Sequence, residues 1–289
     1  MPIPNRLSLQ TDEHDLEILC CDDGSRTLRN VRLNETYHSG CGAVSESLWV
    51  YLFNSGVAKR LARQQTTTVV EYGFGTGTSF LLTAAFASLC KTPLRYVGLE
   101  NRILPKMILE QIDLSTLFHR LSTEHSATSP VESRDLQTAL QPLVELSPHR
   151  STADFAECLQ ICEQALLQAW EPAAWMESKE KQVLKLTPLI ELHLVTEDAA
   201  LFDAAKLAET TGTNNCDSIY FDPFAPEVSP EFWQSSVYKK MLGMLKPEGS
   251  ITSYCVKGVV QREMRDVGLN VSKVPGPTGG KREVLLATS

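Results

Sequence analysis

The sequence predicts a doubly wound α/β fold with a mainly parallel sheet. Three observations carry this. Short β-branched runs alternate with helical periods along most of the chain. One of those strands, "TTTVVEY", runs straight into a glycine turn and a helix. Two strands stand close together at the C-terminus, which predicts an antiparallel hairpin at one edge.

The elements are expected in this order. Residues 16–37, "LEILCCDDGSRTLRNVRLNETY", read as short strands with "DDGS" as a hairpin turn. "SESLWVYLFNSGVAKRLAR", from Ser45 to Arg63, has an apolar face at Leu48, Leu52, Val57 and Leu61, with Ser45 as its cap. Thr66–Cys90 is strand, glycine turn and helix, and "LRYVGLE" is a second strand ending at Glu100. Asn101 to Leu192 is largely helical, and its segment "TADFAECLQICEQALLQAWEPAAWMES" is an amphipathic helix broken at Pro172. Such an insertion either covers a site or only adds core. "IELHLVTEDA", "CDSIYFD" and "ITSYCV" are the next three strands. A helix over "SPEFWQSSVYKKMLGM" closes at a "KPEG" turn, and a short helix over "VVQREMRDVGL" follows. "VSKV" and "REVLLAT" flank "PGPTGGK" at the end. The domain reading is an N-terminal β extension over 1–44 and a main domain over 45–289, with the helical insertion at 101–190.

Composition narrows the class. The 289 residues are 43% hydrophobic and 21% charged, enough for a real core. No apolar run reaches membrane-spanning length, and the N-terminus lacks the pattern of a signal peptide, so a cytoplasmic protein is expected. The eight cysteines form no CxxC pair, so buried reduced thiols are expected and no metal. The net charge of −8 argues mildly against nucleic acid. From Val237 to Ser289, however, nine Lys/Arg face four Asp/Glu, a locally basic end.

"EYGFGTG" places Glu71, Gly73, Gly75 and Gly77 at the first strand–helix turn. Position 78 is Thr, so the third glycine of a dinucleotide fingerprint is missing. The pattern suits a cofactor without phosphate, such as S-adenosylmethionine, whose chain passes close over glycine backbone. Glu71 is then expected near the methionine ammonium, directly or through water. Glu100, 29 residues on, is placed to accept ribose hydroxyls. Asp198 ends the third strand of the sheet beside the adenine, with Glu197 an equal candidate. These features, with the terminal hairpin, point to the Rossmann-like methyltransferase fold with a seven-stranded sheet.

"IYFDPFAPEVSPEFW" ends the fourth strand of that sheet, where a methyl group is transferred. Asp222 is the candidate catalytic carboxylate, able to orient an amine, take its proton, or both. Pro223 and Pro226 stiffen the loop. Phe224 offers a ring for stacking, and Trp233 is either core or a second platform.

These residues resemble the tRNA 5-aminomethyl-2-thiouridine methyltransferase family. The resemblance rests on "YHSGCGAVSES", "VEYGFGTGTSFLL", "LRYVGLE", "FDPFAPEVSPEFW" and "GGKREVLLA", in family order from Tyr37 to the C-terminus. It departs in a longer segment between Glu100 and Asp198, in "TED", and in "DPF". The resemblance implies an S-adenosylmethionine-dependent enzyme that methylates the aminomethyl group of the wobble uridine. It implies that Glu71, Gly73, Gly75, Glu100 and Asp198 hold the cofactor, that Asp222 is catalytic, and that Glu46, Lys281 and Arg282 line the substrate side. The flavin-dependent oxidation performed by the bifunctional members is not expected here. The implied partner is tRNA, through its anticodon loop, with Lys257, Arg262, Arg265, Lys281 and Arg282 as candidate phosphate contacts. Two other readings stay open. One is a methyltransferase of this fold acting on a small-molecule or protein amine. The other is a cofactor-binding relative without catalysis.

Overall fold

A computed structural model of the chain describes residues 6–123, 132–147, 149–172, 175 and 182–289. The continuation of the amphipathic helix beyond Pro172 lies outside these residues, apart from Trp175.

Among the described residues, eight strands form the main sheet, in the order β11-β12-β10-β9-β5-β6-β8-β7. They are β5 (Thr67–Tyr72), β6 (Leu94–Leu99), β7 (Gln182–Thr187), β8 (Ile190–Val195), β9 (Cys216–Phe221), β10 (Leu245–Ser253), β11 (Asn270–Pro275) and β12 (Glu283–Thr288). The five central strands, from β10 to β8, run parallel, and β12, β11 and β7 are antiparallel to their neighbours. The strand order reverses between β5 and β9, the switch point at which such sheets bind ligands.

The sequence reading has seven strands; the eighth is β7. It falls inside the stretch read as helical, where "QVLKLTPLIELHLV" folds back at Thr187–Leu189 as a hairpin with β8. "KPEG" is also not a free turn. It lies within β10, whose register on β9 shifts between Leu245 and Ser250.

Every residue of β5 and β9 is buried, as central parallel strands with helices on both faces must be. Pleating divides β5 between two cores. Val69 packs with the helix α3 (Thr78–Leu89) side, whereas Val70 and Tyr72 join the opposite side with Met241 and Trp233. Glu71 shares the parity of Val69 and so faces the α3 core.

A second sheet, wholly antiparallel, precedes the domain: β1 (Ser8–Gln10), β2 (Leu16–Cys20), β3 (Arg26–Asn30) and β4 (Glu35–Thr36). Its β2–β3 turn caps the next helix, α1 (Ala43–Glu46). The buried Asp23 carboxylate accepts from the Ser45 N–H at 3.0 Å and the Ser45 hydroxyl at 2.9 Å, while Ser25 Oγ accepts from Ala43 N–H at 3.0 Å. Ser45 is therefore inside the first turn, and the cap comes from the preceding sheet. Gly42 permits this approach, because a Cβ there would stand 2.4 Å from Asp23 Oδ2. The chain continues as a π-helical segment (Ser47–Phe53) and α2 (Val57–Ala62).

The insertion supplies α4 (Lys106–Ile112), α5 (Leu114–Thr123), α6 (Glu132–Leu146) and α7 (Thr152–Ala169). Helix α7 starts at a capping box between Ser151 and Asp154 and packs on α3 and α5. Its buried Glu163 accepts from the Leu114 and Ser115 N–H groups, both at 2.9 Å, and so caps α5. Trp170, just past α7, stacks on Phe74 of the glycine turn (centroids 6.1 Å apart, planes 14° off parallel), and its Nε1–H donates to Leu104 O at 2.9 Å. Helices α8 (Ala204–Thr211), α9 (Ser235–Met244) and α10 (Gly258–Asp266) complete the chain, α9 starting later than Ser229. All eight cysteines are free; Cys20, Cys41, Cys90 and Cys158 are only half-buried.

Candidate active site

A cleft of about 1150 Å³ opens over the carboxyl ends of β5, β6, β8 and β9. It is roofed along one side by the residues that follow β3. That is at or above the upper end of a site for one small molecule and leaves room for a cofactor and an acceptor together.

Its lining includes Gly73, Gly75, Leu99, Glu100, Arg102, Asp198 and Ala199. Gly73 and Gly75 have φ of +85° and +53°. Side chains would not fit there, because a Cβ on Gly73 would stand 2.6 Å from Asp222 O and one on Gly75 3.0 Å from the Tyr37 ring. Gly75 N–H donates to Glu100 Oε2 and Arg102 N–H to Glu100 Oε1, both at 2.9 Å. Desolvation raises the Glu100 pKa, and these two N–H groups pull the other way. Each carboxylate oxygen still has lone-pair capacity for a hydroxyl. Asp198 is exposed and caps a short 3₁₀ turn through Ala200 N–H at 2.9 Å. Its rival Glu197 pairs with Lys206 and does not line the cleft.

Two predicted residues stand behind the lining. Gly77 begins α3, with φ +73° and Phe74 against it. Glu71 is 2% exposed and its Oε2 has no hydrogen-bond partner. Burial raises its pKa well above the ordinary carboxylate value, against contacts from Tyr96 and Ser79 that favour the anion. The pleat of β5 accounts for its absence from the cleft wall.

The same cleft is lined by Glu46, Asp222, Phe224, Tyr37, Tyr254 and Lys281, with Asp222 and Tyr37 against the glycine turn. Asp222 follows β9, its N–H donating to Tyr72 O at 3.0 Å. Burial raises its pKa well above the ordinary value, and the nearby Glu46 adds to this, while Tyr51 and Lys281 favour the anion. Glu46 is likewise raised by burial, although its Oε2 accepts from Ser39 N–H at 2.6 Å. Two carboxyls that repel one another hold a proton readily. Phe224 meets Tyr37 edge to face at 5.2 Å. Tyr254 donates to Pro223 O at 2.9 Å, and the Lys281 ammonium lies 4.2 Å above the Tyr254 ring.

Arg282 is exposed and is not among the residues lining the cleft. Trp233 is core: it packs on Phe221 at 4.8 Å and donates through Nε1 to Phe224 O at 2.8 Å, bracing the proline loop from beneath. Of the candidate phosphate contacts, Lys257 pairs with Glu227, Arg265 bonds Gln261 and Val271 O, and Arg262 is exposed. Sequence reasoning missed Tyr37, Tyr51, Tyr254 and Arg102. Tyr37 opens a block already singled out, whereas Tyr51 sits in a π-helical segment that no 3.6-residue period reveals.

The donor set fits S-adenosylmethionine. The glycine turn leaves an open backbone surface, Glu100 offers a carboxylate, and the cleft wall carries Glu46, Asp198 and Asp222, which suit a ligand bearing a sulfonium and an ammonium. A family model described as S-adenosyl-L-methionine-dependent methyltransferase matches residues 161–289. The chain is an S-adenosylmethionine-dependent methyltransferase. The crystal structure of MNMC2 from Aquifex aeolicus has the same fold, with a TM-score of 0.60 at 18% identity over 96% of this chain and 72% of that one. Two curated relatives are each named tRNA 5-methylaminomethyl-2-thiouridine biosynthesis bifunctional protein MnmC. The one from Burkholderia multivorans is 27% identical over 271 residues, 92% of this chain and 33% of its own length. The one from Magnetococcus marinus is 26% identical over 255 residues, 88% and 31% respectively. The chain thus spans about a third of the curated relatives it matches. Among the described residues, no helix of this methyltransferase is long and apolar enough to cross a membrane, and no group of three or more His, Cys, Asp or Glu could hold a metal.

Proposed function

We propose that this methyltransferase acts in the cytoplasm on the exocyclic amine of 5-aminomethyl-2-thiouridine at the tRNA wobble position. The observation that carries this is one cleft lined by Glu100 and the glycine turn together with Asp222, Glu46 and the Phe224 and Tyr37 rings. The names of the curated relatives supply the substrate.

Gly73, Gly75, Glu100 and Asp198 would hold the cofactor, with Glu71 and Gly77 shaping the turn from behind. Bound S-adenosylmethionine supplies a methyl group on a positively charged sulfur. Asp222 orients the amine and accepts its proton, and a raised pKa makes it a better acceptor near neutrality. The nearby Glu46 strengthens that hold on a proton, while Tyr51 favours the anion. Phe224 and Tyr37 give an unstacked base an aromatic wall. Lys281 stands at the rim, with Arg282 beyond it, for the negatively charged anticodon loop. Contacts of that kind are few, so the electrostatic share of binding is small and affinity falls only gently with salt.

The test is methyl transfer from labelled S-adenosylmethionine to tRNA carrying 5-aminomethyl-2-thiouridine. Wild type yields 5-methylaminomethyl-2-thiouridine, and Asp222→Asn loses about 10²–10⁴ in kcat with cofactor binding kept. Cofactor binding without transfer to that tRNA would sink the proposal.

A further inference from the structure

The N-terminal sheet is tied to the turn after Glu100 by the Arg102 side chain. Arg102, two residues after Glu100, donates from Nη1 to Asp15 Oδ2 at 2.7 Å and from Nη2 to Asp15 Oδ1 at 2.8 Å. A third bond runs from Nη2 to Glu13 Oε2 at 3.2 Å. The Asp15 bond is a two-pronged guanidinium–carboxylate pair, which fixes direction as well as distance. The main chain of the same arginine holds Glu100, through the bond from Arg102 N–H to Oε1. Asp15 in turn is set by a tight turn: Leu16 N–H donates to Glu13 O at 3.0 Å, and Thr11 Oγ1 donates to Leu16 O at 2.8 Å.

We infer that Arg102, clamped by Asp15 and Glu13 of the N-terminal sheet, is a positioning residue for the cofactor, because it fixes the turn whose main chain aims Glu100. The inference rests on the reading of Glu100 as a cofactor-holding carboxylate. It goes beyond that reading in making the N-terminal sheet part of the cofactor site. Free of the clamp, the 100–102 turn would sample several orientations, and the carboxylate would spend less time aimed at the cleft. The ion pair itself contributes little to global stability, since the arginine and Glu13 side chains are 34% and 40% exposed. A loss of affinity without a loss of fold is therefore expected.

The experiment is calorimetric binding of S-adenosylhomocysteine to the full chain, with no acceptor present. Asp15→Asn is expected to raise Kd about fivefold to tenfold, and Arg102→Lys, which keeps the charge and loses the fork, to do the same. Asp15→Glu restores most of the affinity. In turnover the KM for S-adenosylmethionine rises while kcat at saturating cofactor stays within about twofold of wild type. Melting temperatures stay close to wild type; if Asp15→Asn fails to fold, Glu13→Gln gives a smaller shift of the same sign. Wild-type Kd in folded Asp15→Asn, together with weakened binding in Glu100→Gln, overturns the clamp and leaves the cofactor reading intact. Wild-type Kd in Glu100→Gln overturns the cofactor reading itself and the clamp with it.

Discussion

The sheet over Ser8–Thr36 and the helices from Lys106 to Ala169 both pack on the same doubly wound core, and they differ in what they add to that packing. The sheet buries Leu16, Ile18 and Leu28 and adds polar ties: Arg102 to Asp15, Asp23 to the start of α1, and, to helix α4, Arg26 Nη1 to Gln111 O at 2.8 Å. The segment after it, from Glu35 to Glu46, furnishes much of one wall of the cleft. The helices join through apolar packing: Phe155, Leu159, Cys162, Leu166 and Trp170 are all buried in the α3-side core. Among the described residues, none between Ile103 and Leu189 lines the cleft. The short addition thus builds the site, while the long one supports the floor beneath it. Length says little about function, whereas polar side chains tied to distant parts of the chain say a good deal.

The comparison can be broken from the insertion side. Trp170→Ala removes the stack on Phe74 and the bond to Leu104 O, and is expected to lower stability by about 3–5 kcal/mol in denaturant unfolding. Folded enzyme should keep its cofactor Kd within about threefold, since a core truncation acts on the fold before the site. A Kd that collapses while the fold survives would make the insertion part of the site.

From the sheet side the expected effect is smaller and lies in the pH profile. Asp222 must be ionised to accept a proton, and burial with Glu46 beside it raises its pKa. Activity is therefore lost as pH falls through that raised value, at a pH above the ordinary carboxylate range. Glu46→Gln removes the repulsion and so lowers the Asp222 pKa, moving the acid limb of kcat to lower pH. An unmoved limb would show that Glu46 and Asp222 do not titrate together.

Much of the fold was legible because its signals are local. A β-branched run before "EYGFGTG" specifies a central strand and its turn, and the alternation of strands and helices fixes most of the rest. Strand β7 was not, because "QVLKLT" follows helices and its pairing depends on a hairpin with no strong turn signature. The site was legible where residues end strands: Glu100, Asp198 and Asp222 all line the cleft. Glu71 was harder. Its place behind the wall depends on which face of β5 meets α3, a matter of packing rather than spacing. Arg102 was invisible for a similar reason, since its partner Asp15 lies 87 residues away in sequence.

One cleft is proposed to hold the cofactor at Glu100 and the acceptor at Asp222. A crystal structure with S-adenosylhomocysteine tests it most directly. Both ribose hydroxyls are expected within hydrogen-bond distance of the Glu100 carboxylate and the sulfur facing Asp222, with the Arg102–Asp15 pair intact. A ribose away from Glu100, or a sulfur turned from Asp222, would contradict it.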